Sequence, residues 1–146
     1  MKRTLLILGV IVSACAVQGP PFRRATAPPG NSTVYVYRPY HYGSSLVLPA
    51  VTCGDDTARI GPGGYHAFIV PSSQPIICHV AAETTDEVEF DDTQPRAYYI
   101  REELGWGMLS SHPHLNPIDT DKAQTEIARC CVEQKSIANQ PLNPKQ

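Results

Sequence analysis

The chain has 146 residues, with 12 Lys+Arg against 14 Asp+Glu, five cysteines, 14 prolines and 10 glycines. That length holds one domain with tails and hardly two, and a formal net charge of −2 supplies no basic field to collect nucleic acid. So many prolines and glycines argue against a helical bundle and call for short elements joined by turns.

The first element in chain order is an N-terminal signal. Lys2 and Arg3 precede an apolar run from Leu5 to Val12, which ends at Ser13-Ala14-Cys15. A basic start, a short apolar stretch and small residues before a cut site describe a secretory signal. A membrane span needs about 20 apolar residues, and a buried strand would not need the basic start or the small-residue stop. Val12-Ser13-Ala14-Cys15 resembles the lipobox of bacterial lipoproteins. That resemblance implies removal of residues 1–14, a diacylglycerol group on the Cys15 thiol, an N-acyl chain, and a membrane reached through this lipid anchor. Ala16 in place of Asp implies delivery to the outer membrane, with the folded part facing the periplasm. Each buried CH₂ adds about 0.8 kcal/mol, so several acyl chains hold firmly. No other cofactor is expected. Cleavage leaves 132 residues and a side-chain balance of −4.

Residues 15–32 are expected to be the lipidated cysteine and a Pro/Gly-rich linker. From residue 16 they contain four prolines, two glycines and no hydrophobic period. Extended at about 3.1 Å per residue, such a linker reaches roughly 50 Å. Arg23 and Arg24 within it are either solvated or available to phosphate headgroups.

The folded domain is expected over residues 33–132. Val34–Arg38 is a strand of high propensity, and Tyr40–Ser45 is a loop. Leu46–Cys53 forms the next strand, with Pro49 marking an edge or bulge open to strand addition. Further strands cover Thr57–Ile60, Tyr65–Val70, Ile76–Glu83, Glu87–Phe90 and Ala97–Leu104, with Gly61-Pro62-Gly63-Gly64 as a tight turn. This spacing predicts an all-β fold, a small antiparallel β-sandwich or partial barrel. Asp119-Thr120-Asp121 offers cap oxygens, and Ala123, Ile127 and Cys130 or Cys131 recur at helical spacing. They predict one short C-terminal α-helix docked on the sheet. Residues 133–146 read as a disordered tail.

Val34-Tyr35-Val36-Tyr37-Arg38-Pro39, Gly63-Gly64-Tyr65, Ala97-Tyr98-Tyr99-Ile100-Arg101 and the terminal helix together resemble a family of small bacterial lipoproteins carrying a domain of unknown function. Its members are similar to β-sandwich domains of the PEGA type. Those domains often place Pro-Gly in the turn that here reads Pro71-Ser72-Ser73-Gln74-Pro75. The resemblance implies a location and a fold, with no reaction attached.

Beyond Cys15, the cysteines are Cys53, Cys78, Cys130 and Cys131, an even number for an oxidising compartment. Cross-pairing of 53 and 78 with 130 and 131 competes with a Cys53–Cys78 bridge, worth about 3.5 kcal/mol by loop closure. The vicinal Cys130–Cys131 bridge is conformationally awkward, and buried thiols remain a further alternative. Among His41, His66, His79, His112 and His114 only the last two are close-set, and no Cys-x-x-Cys occurs, so no metal site is expected. His66 and His79 read as surface-facing strand residues.

No nucleophile elbow, zinc-protease or phosphate-loop motif occurs, so no catalytic residue is expected. Asp55-Asp56 and Asp91-Asp92 read as solvated turn carboxylates, and Glu102-Glu103 point to opposite faces of a strand. The strand tyrosines Tyr35, Tyr37, Tyr98 and Tyr99 are expected to cover sheet faces. Tyr40, His41 and Tyr42, together with Trp106, form the candidate binding surface, because loop tyrosine offers area and a hydroxyl at low entropy cost. The expectation is a non-catalytic binding or structural module that meets an envelope protein or polymer and no nucleic acid. A small-ligand- or metal-binding lipoprotein is the alternative, and a hydrolase assembled from distant loops stands further back.

Overall fold

Strand β1 (Asn31–Arg38) is buried from Ser32 through Arg38. A strand covered on both faces reads as a continuous run of β-branched and aromatic residues rather than an alternating one, and Val34-Tyr35-Val36-Tyr37 is such a run. The computed structural model describes residues 19–40, 48–82, 84–91, 93–105 and 112–136. After β1 come β2 (Ala50–Cys53), β3 (Asp56–Arg59), β4 (Gly64–Pro71), β5 (Ile76–Ala81), β6 (Thr85–Phe90), β7 (Ala97–Gly105), β8 (His112–Pro117), α1 (Thr120–Cys130) and β9 (Val132–Glu133). They form a five-stranded sheet in the order β8-β7-β1-β4-β9 and a four-stranded sheet in the order β3-β2-β5-β6. The all-β class with one C-terminal helix is as expected. The five-stranded sheet is mixed, because β1 pairs in parallel with β7 and β4 with β9.

The even-numbered side chains of β1 face the four-stranded sheet. Val34 and Val36 meet Val51, Phe68, Val80 and Ile100 in an interior with almost no solvent access. Each such side chain contributes about 1.5–3 kcal/mol of burial. The odd-numbered side chains face the other way. There Tyr35, Tyr37, Tyr65 and Tyr99 pack against Ala123 and Ile127 of α1. β5 alternates instead, with Ile76, Cys78 and Val80 inward and Ile77, His79 and Ala81 outward. That is the signature of a sheet covered on one side.

Helix α1 starts where the sequence places it. Asp119 Oδ1 accepts the Asp121 N–H at 3.1 Å, and Ala123 and Ile127 form the buried stripe. The turn before β4 is equally legible. Gly63 has φ +76°, and the Gly64 N–H donates to the Gly61 carbonyl at 2.9 Å. Pro followed by a left-handed Gly is the pattern of a type II turn.

Several expectations change. β2 lies between β3 and β5, so the strand read over Leu46–Cys53 offers no open edge from Ala50 onward. β8 has no counterpart among the strands read from the sequence. Val132–Glu133, straddling the start of the expected tail, pairs with β4, and Ser136 bridges Ala58 of β3.

The proline-rich segment is also docked rather than free. The Glu133 N–H donates to the Pro20 carbonyl at 2.8 Å, and Pro21 bridges Val132. The Phe22 ring stands edge-on to Tyr35 and Tyr65, with centroids 5.5 and 5.3 Å away. This strap completes a third layer beside α1.

Candidate functional site

β1 and β7 run parallel, with Tyr37 beside Arg101, so both strands leave the sheet at one end of the sandwich. Tyr40 follows β1 by two residues and is 56% exposed. Trp106 follows Gly105, the last residue of β7. His41, Tyr42 and Trp106 lie outside the described residues, as does Cys15. Of the four residues expected to bind, the structure therefore places Tyr40. It also shows that the two chain segments carrying all four depart from neighbouring strands.

Beneath that end lie two charged residues, Arg38 and Glu102, the second of which sequence reading takes only as half of an acid pair divided between strand faces. Arg38 shares the inward row of Val34 and Val36, and Glu102 shares that of Tyr98 and Ile100; they are 2% and 1% exposed. Arg38 Nη1 donates to the Ile60 carbonyl at 3.3 Å. Among the described residues neither Glu102 oxygen has a hydrogen-bond partner. Burial pushes the Glu102 carboxyl up to about 7, against the opposing pull of the Arg38 charge. Burial likewise lowers Arg38, with Glu102 opposing. Glu103 points outward as strand alternation requires, and its Oε1 lies 2.8 Å from Arg101 Nε as an ion pair poorly aligned for a hydrogen bond.

A second cluster closes the seam between β4 and β3. His66 pairs with Val36 in register, which turns its ring inward to 8% exposure, contrary to the surface position expected. Its Nδ1 lies 2.6 Å from the Gln134 carbonyl and its Nε2 lies 3.0 Å from Asp56 Oδ2. The Ser136 hydroxyl donates to Asp56 Oδ1. Burial alone would raise the Asp56 carboxyl, but the hydrogen bonds from Ser136 and His66, with the His66 charge, bring it below the usual carboxylate range. Asp56 is thus no solvated turn residue.

Ser, His and Asp meet here in the wrong order for nucleophilic catalysis. The serine hydroxyl is bonded to the carboxylate, and both ring nitrogens face other acceptors. The ring nitrogens are thus held against the Gln134 carbonyl and Asp56 Oδ2, whereas a catalytic triad needs one of them against the serine hydroxyl. The cluster ties β4 and β3 to the segment after β9.

The tyrosine layer is held by its hydroxyl groups. Tyr37 donates to Glu126 Oε2 at 2.6 Å, and Gln124 Nε2 donates to the Tyr99 hydroxyl at 2.8 Å. The Tyr65 and Tyr35 hydroxyls accept the Arg23 and Ala25 N–H groups at 3.3 and 2.7 Å. Burial, then the Glu126 hydrogen bond and charge, raises Tyr37; burial also raises Tyr35, against the Ala25 N–H.

Cys53 and Cys78 oppose each other on β2 and β5 and are bonded inside the sandwich. Cys130 and Cys131 are bonded to each other at the end of α1. Cross-pairing is prevented because the two sets lie on opposite sides of the five-stranded sheet. Among the described residues no three His, Cys, Asp or Glu side chains converge as a metal ion requires. His112 and His114 face different partners, Thr84 at 3.4 Å and Asp86 at 3.7 Å. Set against family models, curated proteins and solved structures, the chain matches none.

Proposed function

We propose that this chain is a lipid-anchored bacterial envelope protein acting as a non-catalytic binding or structural module. The observation that carries the reading is the order Lys2-Arg3, apolar Leu5 to Val12, then Ser13-Ala14-Cys15. On this reading Cys15 bears diacylglycerol and an N-acyl chain, and the sandwich faces the periplasm, from the outer membrane by preference. The strand pattern that resembles small bacterial lipoproteins supports the same address.

Two further points support binding over chemistry. The Ser136–Asp56–His66 cluster has its reactive atoms engaged in hydrogen bonds. Tyr40 stands exposed at the end where β1 and β7 depart, beside the chain positions of His41, Tyr42 and Trp106. Tyrosine and tryptophan there offer contact area with polar handles, which suits an envelope protein or polymer.

The test is the intact mass of the full-length chain from a bacterial membrane fraction, beside a Cys15→Ser control. The expected mass begins at Cys15, carries acyl chains and loses them in the control. An unmodified mass retaining residues 1–14 overturns the proposal.

A further inference from the structure

We infer that the docked strap holds the sandwich with its β9 edge against the lipid headgroups, so that the bilayer surface is a contact partner of this edge and not only the place of anchorage. The inference rests on lipid at Cys15 and adds where the domain sits once that lipid is in place.

Chain length carries the argument. If residues 16–32 were free, they would let the domain range roughly 50 Å from the bilayer. The strap is pinned from Pro20 onward, however, by the Glu133 N–H on the Pro20 carbonyl, the Pro21–Val132 bridge and the Phe22 ring between Tyr35 and Tyr65. The Arg23 and Ala25 N–H groups add two tyrosine contacts. Only four links then separate Cys15 from Gly19, and they span at most about 14 Å. A domain wider than its tether is long must touch the surface it hangs from. It touches with the edge where the tether enters, beside β9.

Two local features fit this placement. Gly19 lies so close to Glu133 that a Cβ at residue 19 would run into the Glu133 carbonyl oxygen, so the strap enters its seat through a position that only glycine fills. Arg23, Arg24 and Lys135 are exposed on the strap and the adjoining segment, against one exposed acid, Glu133. Cations near an anionic leaflet are drawn to it.

The experiment uses full-length protein whose acylated mass has been checked. It is held in a supported bilayer of phosphatidylethanolamine with a quarter phosphatidylglycerol and measured by neutron reflectometry. Protein density is expected to begin within about 15 Å of the headgroups. Ten Gly/Ser residues inserted after Gln18 leave the strap seated and should move the domain outward by about 17 Å. Gly19→Val should unseat the strap and let the density spread toward roughly 50 Å. Density lying tens of ångströms away in the unaltered chain overturns the inference, and so does an insertion that moves nothing.

Trypsin supplies an independent readout on the same samples. Cleavage after Arg23 and Arg24 should be at least about tenfold faster in Gly19→Val, because local opening exposes the seated backbone. Equal rates mean that the strap is not seated and sink this inference alone. An absent acyl mass sinks it together with the anchor.

Discussion

The two faces of the five-stranded sheet are built on different physics. Toward the four-stranded sheet, β1 presents Val34 and Val36 to an aliphatic interior sealed by Phe68, Ile100 and the Cys53–Cys78 bridge. Toward α1 and the strap, the same strand presents Tyr35 and Tyr37, whose hydroxyls each find a specific partner. The first face gains stability from area, which is large and non-directional. The second gains less per contact but fixes where two loosely connected pieces must lie. Burial holds the sandwich together, and hydroxyl bonds decide how helix and strap sit on it.

Substitutions sharpen that contrast. Phe68→Ala should lower unfolding free energy by about 3–5 kcal/mol in urea titration, the cost of a large cavity in a tightly packed interior. Glu102 is the exception within that interior and gives the next effect. Its folded value of about 7 lies above its ordinary one near 4.5, so the folded state favours the proton. The neutral form's advantage is complete below pH 4.5 and is lost as pH rises through 7. The loss amounts to roughly 3 kcal/mol between those limits. Glu102→Gln should flatten that fall in unfolding curves taken from pH 4.5 to 8; an unchanged slope would mean the carboxyl is not what titrates. Tyr35→Phe should be the mildest. It removes the acceptor of the Ala25 N–H, about 1 kcal/mol, and is read as about fivefold faster amide exchange at Ala25 with little change in global unfolding.

The strands legible in the sequence were those whose side chains declare their surroundings. Val34–Arg38 and Ala97–Leu104 are β-branched or aromatic almost throughout, and α1 carries both a cap and a stripe. β8 was hidden because His112-Pro113-His114-Leu115-Asn116-Pro117 holds two prolines, and only an edge strand tolerates them. Alternation places His66 and Glu102, although His66 reads as surface-facing and Glu102 only as half of a divided acid pair. Residue 66 shares the parity of Phe68 and Val70, and 102 that of Tyr98 and Ile100, so both had to point inward. The disulfide pairing and the seating of the strap were not legible. Each depends on which side of a sheet a distant segment reaches, and local pattern does not carry that. For the candidate binding surface, sequence supplied the residue types, while the parallel pairing of β1 with β7 brings their two segments to one end.

That parallel pairing also governs the order in which the molecule assembles. β1 meets β4 across a modest loop, but Tyr37 must wait for Arg101, and Gly64 must wait for Val132. Closing loops of some sixty residues before contacts reward them is slow, and folding rates fall as such distant pairings accumulate. Until the last third of the chain arrives, β1 has one neighbour where the finished sheet gives it two, and its Val-Tyr-Val-Tyr face lacks both α1 and the rest of the sheet. A nascent chain in that condition offers a bare, strongly strand-forming edge of the kind that aggregates. Its early lifetime is thus the interval in which self-association is the greatest hazard.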